Sequence, residues 1–252
     1  MNPSNQTNPN PPTPPNPRTL VWDLPTRAFH WLLAASFAGA FLTAESERLR
    51  DLHMLLGYAA AGLIVFRLLW GVVGTRYARF ASFPLAPRAV LDYLKSLLTR
   101  SPRHYFGHNP AGSWAIVALL ALIAAASLTG WAYAVEIGPE WLEDLHEGLA
   151  NATLVLVIVH IAAVILSSLL HRENLVRAML SGYKPGAGPA AAGTRWVVAL
   201  LLLGAVGALL GGVIPAPGLE PGTSVVDASR PSAAGDVRGT ERQRHEGEDD
   251  DD

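Results

Sequence analysis

Not one of the 252 residues is cysteine. That absence excludes disulfides, cysteine-ligated iron–sulfur clusters, zinc ribbons and covalent C-x-x-C-H attachment of haem. It leaves the redox compartment undefined, because no thiol is present to report it. Charge is scarce too: Asp, Glu, Lys and Arg make up 16% of the chain, whereas half of it is hydrophobic. A soluble domain of this size carries about a quarter charged residues.

The apolar residues that remain are clumped. Five runs approach the twenty or so residues that a membrane-crossing helix needs. They fall at about 27–44, 53–74, 114–134, 146–170 and 196–214. The first is the shortest and least apolar, yet "FHWLLAASFAGAFLTA" still reads as a span. The opening "MNPSNQTNPNPPTPPNP" is rich in Pro and Asn and lacks a basic n-region. It reads as a disordered head rather than a signal peptide.

Charge gives the orientation. Residues 76–113 carry Arg76, Arg79, Arg88, Lys95, Arg100 and Arg103 against Asp92. Arg172, Arg177, Lys184 and Arg195 follow the fourth run. Positive loops face the cytoplasm, as does the N-terminus with Arg18 and Arg27. Of the 21 acidic residues, only Asp23, Asp92 and Glu173 then lie inside. Five spans with an inner N-terminus put the C-terminal tail in the periplasm of a bacterial inner membrane. All seven Trp sit near the ends of the runs, where aromatic rings anchor helices at the interface.

Histidines are costly in hydrocarbon, and those inside spans mark function. Four of the eight can be given a depth. His30 opens span one near the inside. His53 and His146 open spans two and four, both entering from outside. His160 lies fourteen residues after His146, on the same helix face and about 21 Å deeper. By depth, His53 pairs with His146 toward the outside and His30 with His160 toward the inside. Opposed imidazoles at each level of a bundle provide bis-histidine ligation of a haem iron. Two other readings compete: histidines bonded to neighbouring backbone, and a metal site. Two His without carboxylate or thiolate make a poor zinc site.

The motifs carry a resemblance. "VWDLPTRAFHW" (21–31), "LHMLLGYAAAGLIVFRLLWGVVGTRYARF" (52–80), "HNPAGSW" (108–114), "LHEGLAN" (145–151), "VIVHIAAV" (157–164) and "HRENLVRAMLSGYK" (171–184) stand in order. Over about 20–184 the chain resembles the prokaryotic cytochrome b561 family, which includes the b-type cytochrome subunit of nickel–iron hydrogenases. The resemblance implies two haem b groups whose iron is held from spans one, two and four. Those ligands map onto His30, His53, His146 and His160, the four that depth selects. It also implies membrane electron transfer with quinone as diffusible substrate. The partner outside is then a periplasmic c-type cytochrome, another redox protein, a hydrogenase-like subunit, or a small molecule such as superoxide. No nucleic-acid partner is expected.

Two further residues are candidates. Arg67 follows His53 by fourteen positions and so shares its face near the inner level. It reads either as a partner for a haem propionate or quinone oxygen, or as a cation snorkelling to the headgroups. His108 precedes span three, where Asn109 and Pro110 open the helix. It reads as a quinone or propionate contact, or as an interfacial histidine.

The expected architecture is an all-α integral membrane protein, a four-helix haem-binding bundle with a fifth helix outside it. Residues 1–19 form the cytoplasmic head, 20–184 the membrane domain, 185–215 a linker with the fifth helix, and 216–252 a disordered acidic periplasmic tail. The competing class is a histidine-lined transporter or metal-binding membrane protein without redox activity.

Overall fold

The computed structural model describes residues 17–98 and 105–230. The Pro/Asn-rich head up to residue 16, His104 and the four terminal Asp lie outside the described residues. The apolar runs become helices α1 (Leu24–Thr43), α2 (Arg50–Val73), α4 (Pro110–Ala134), α5 (Trp141–His171) and α7 (Trp196–Leu210). Shorter helices are α3 (Pro87–Leu98), α6 (Leu175–Ser181) and α8 (Val225–Ala228). Three segments are long and apolar enough to cross a membrane: Glu47–Val73, Pro110–Ala134 and Trp141–His171. α1 has the length, with 20 residues, but dilutes its apolar side chains with Arg27, His30 and small residues. α7 is strongly apolar but has only 15 residues. α5 leaves most of its apolar surface exposed, as a lipid-facing helix does.

The helix starts follow local chemistry. Asp23 caps α1 through Thr26 N at 2.8 Å, with Pro25 in the first turn. Asn109 caps α4 through Gly112 N at 2.7 Å, with Pro110 opening the helix. α5 begins at Trp141, five residues before the apolar run predicts, because Glu143 and Asp144 suit a helix N-terminus.

α1 packs on α2 and α7, α2 on α4, and α4 on α5. The α1–α5 edge is less closely packed and is tied instead at the end where α1 begins and α5 finishes. There a two-stranded ribbon, which an all-α expectation does not contain, pairs β1 (Arg18–Leu20) antiparallel with β2 (Tyr183–Pro185). Gly182 makes the closure possible. It ends α6 at φ +89°, and a Cβ there would meet Trp22 O at 2.6 Å. Its carbonyl accepts from Val21 N and Trp22 N at 2.8 and 3.0 Å. The lead-in to α1 is thereby fixed to the exit of α5.

The chain after α7 folds back on the bundle. Tyr58 Oη donates to Pro217 O at 2.7 Å, Ala216 and Ala228 are buried, and α8 rests on α2. Order thus extends beyond residue 216, where polar composition predicts a disordered tail.

Asp23 is the tie between α1 and the end of α2. It is 1% exposed. Besides capping α1, it accepts from Trp70 Nε1 at 3.1 Å and Thr75 Oγ1 at 2.6 Å. Asp23→Ala removes the cap and strands two buried donors, costing about 2–4 kcal/mol. A thermal melt in detergent checks this: Asp23→Ala lowers the midpoint strongly, and the isosteric Asp23→Asn lowers it less.

Candidate functional site

Two groups of polar residues lie within the bundle. The first joins α2 to α5. The His53 and His146 ring centroids are 6.0 Å apart with planes at 83°. Each ring is held by a helix neighbour. His53 Nδ1 donates to Ala40 O of α1 at 2.8 Å, and His146 Nδ1 donates to Ala126 O of α4 at 2.8 Å. A carbonyl only accepts, so each Nδ1 carries the hydrogen and each Nε2 keeps a free lone pair. Gly130 gives His146 its room, since a Cβ there would stand 2.7 Å from the ring Cε1.

The second group lies toward the end of the bundle where α1 begins and α5 finishes. His30 of α1 and His160 of α5 are close enough to interact electrostatically, and His30 Nδ1 is buried without a partner. Thr153 sits midway between His146 and His160, fully buried, its hydroxyl satisfied by Leu149 O at 2.7 Å. Arg67 is 3% exposed, so it does not snorkel to the headgroups. Its guanidinium carbon lies 4.6 Å from the Phe80 ring centre and 5.9 Å from that of Phe83. Phe83 in turn meets His108 at 4.5 Å, and Trp22 meets His108 from another side at 4.7 Å. Burial first, then the charges of Arg67 and Lys184 and the nearby His160, push the His108 pKa down to about 3. His108 is therefore a neutral ring at neutral pH. Lys184 is buried as well, but it has partners: Glu173 at 3.9 Å and Tyr105 O at 3.3 Å.

All six candidates from the sequence thus fall in these two groups. Trp22, Asp23, Phe80, Phe83 and Lys184 join the second without having been singled out. Asp23 was open to discovery as a cap ahead of Pro25. The aromatic contacts of His108 were not, because they come from two segments distant in sequence, at Trp22 and Phe83.

The fold and these residues define a multi-pass helical membrane protein with paired imidazoles in its interior. The profile of the prokaryotic cytochrome b561 family matches residues 21–182, and the chain belongs to that family. Curated relatives carry the name "Probable Ni/Fe-hydrogenase B-type cytochrome subunit". The protein of that name in Bradyrhizobium diazoefficiens is 24% identical over 211 residues, covering 66% of this chain and 85% of its own. That of Azotobacter vinelandii is 27% identical over 212 residues, covering 65% and 87%. That of Cupriavidus necator is 26% identical over 213 residues, covering 66% and 86%. No solved structure matches the chain significantly.

Membership of this family implies haem b, and the residues fit it. The His53 and His146 ring centroids stand 6.0 Å apart, and with each Nδ1 committed to a carbonyl their Nε2 atoms would be the ones to hold a haem iron. Gly130→Ala pushes on His146 and lowers the haem bound per chain. Gly62→Ala, where nothing lies within 4 Å, leaves it unchanged. A pyridine haemochrome assay on both purified variants checks the contrast.

Proposed function

We propose that this chain is a dihaem membrane cytochrome that carries electrons between the quinone pool and a redox partner outside the inner membrane. His53 and His146 hold one haem b, and His30 and His160 hold the other about 21 Å along the bundle. The observation that carries this reading is the opposed His53–His146 pair, both Nδ1 atoms tied to carbonyls. When bound, each haem supplies one-electron chemistry between ferric and ferrous iron.

The chain's own residues do the rest. The helices exclude water and hold the imidazoles at fixed levels. α1 and α7 complete a bundle of four spans plus a fifth. The basic segments between α2 and α4 and after α5 keep those ends, and the N-terminus, cytoplasmic, with the C-terminus periplasmic. Quinone enters near the inner pair, where His108 presents a neutral ring. A transporter or bare-metal site fits less well. Each level offers two imidazoles, and no three His, Cys, Asp or Glu side chains converge among the described residues. A macrocycle that fills the remaining coordination positions suits such a pair better than zinc or copper.

The partner outside meets an acidic face. Glu136, Glu140, Glu143, Asp144 and Glu147 are exposed along the α4–α5 connection beside His146. A field of one sign steers an oppositely charged partner and raises its encounter rate. A basic c-type cytochrome fits that face. A hydrogenase-like subunit, suggested by the relatives' name, is the other reading.

Two measurements test the account. The purified protein binds two haems per chain, all removed by acid–acetone extraction. His53→Ala and His146→Ala lose one spectral component, and His30→Ala and His160→Ala lose the other. A ratio near one, or His30→Ala and His53→Ala losing the same component, overturns the pairing. The association rate with a basic cytochrome falls steeply as salt rises, because screening acts over about 8 Å at physiological ionic strength. Reversing Glu143 and Asp144 to Lys flattens that dependence. A rate indifferent to salt in the unaltered protein removes the steering role.

A further inference from the structure

The inner group, unlike the outer, keeps buried polar atoms without partners, His30 Nδ1 and Arg67 Nη1. At the outer level both imidazole Nδ1 atoms have carbonyl partners. At the inner level Arg67 Nη1 is buried without a partner. An unsatisfied charged donor in a low-dielectric interior is among the most unfavourable arrangements a fold can retain. Its retention points to an acceptor that the polypeptide does not itself provide.

The chain's own carboxylates are committed elsewhere. Asp23 is near enough to be felt electrostatically by Arg67. Its oxygens, however, already accept from Thr26 N, Trp70 Nε1 and Thr75 Oγ1. Glu173 faces Lys184. Among the described residues no carboxylate comes within 4 Å of the Arg67 guanidinium. The guanidinium carbon sits over the Phe80 ring at 4.6 Å, a contact that supplies no hydrogen-bond acceptor to Nη1. Arginine's planar fork matches a carboxylate better than any other acceptor of this size. The helical phase from His53 puts it at the level of His30 and His160.

We propose that Arg67 binds a propionate carboxylate of the inner haem, with Asp23 fixing the end of α2 from which Arg67 projects. The inference rests on the dihaem reading. The guanidinium then neutralises the propionate and stabilises the added electron at that haem alone, because the outer haem lies about 21 Å away.

Redox titration of the full-length protein, followed optically, tests it. In Arg67→Gln the inner haem titrates at a lower midpoint potential, and the outer haem keeps its own. Arg67→Lys, which retains the charge, recovers most of the shift. Infrared redox difference spectra with haem labelled with carbon-13 at the propionate carboxyls show a displaced propionate band in Arg67→Gln. Should Arg67→Gln fold poorly, Arg67→Lys still reports, since loss of the bidentate fork alone displaces that band. An unmoved propionate band and unmoved midpoint, with quinol-driven reduction slowed, overturn the proposal and assign the guanidinium to the quinone. Wild-type protein with a single titrating component fails the dihaem reading itself, a result distinct from either.

Discussion

A buried imidazole N–H left without an acceptor is costly, and the outer histidine pair is built around meeting that cost. His53 and His146 each spend Nδ1–H on a carbonyl of the adjacent helix, Ala40 of α1 and Ala126 of α4. The same two bonds fix the tautomer, stop ring rotation and leave Nε2 for a metal. They also couple the site to the packing of all four long helices, since ligand and acceptor always lie on different ones. A shift of α1 against α2, or of α4 against α5, would misdirect a ring.

The end where α1 begins and α5 finishes is organised differently. There polar groups gather around the helix termini rather than along helix faces. Asp23 joins the start of α1 to Trp70 and Thr75, and the β1–β2 ribbon joins it to the chain leaving α5. These ties compensate for the looser α1–α5 edge. They hold His30 near His160 and bring Arg67 and His108 among the rings of Trp22, Phe80 and Phe83.

Much of this was legible in the sequence because hydrocarbon is a strict solvent. Apolar runs located the five long helices, Asn109–Pro110 marked the start of α4, and spacing of fourteen put His146 over His160 and His53 over Arg67. Depth alone matched His53 to His146, whose ring centroids lie 6.0 Å apart with their planes nearly perpendicular. Other features were not legible. The β1–β2 ribbon pairs three-residue segments more than 160 positions apart, too short to show a period. The fold-back of Ala216 and Ala228 onto the bundle depends on small residues filling a groove, and composition marks that stretch only as polar. The burial of Arg67 also needed the structure, since a cation near a helix end reads equally well as snorkelling until Phe80 is seen over it.

The central claim is that opposed imidazoles from different helices ligate iron on both sides. Electron paramagnetic resonance of the oxidised protein tests it most directly, because the signal reports axial ligand number and ring orientation. The account predicts low-spin ferric haem only, with one strongly anisotropic component from the near-perpendicular His53 and His146 rings, set at 83°. That component disappears in His146→Ala. A substantial high-spin signal in the unaltered protein would show iron with an open axial position and contradict the paired-histidine account.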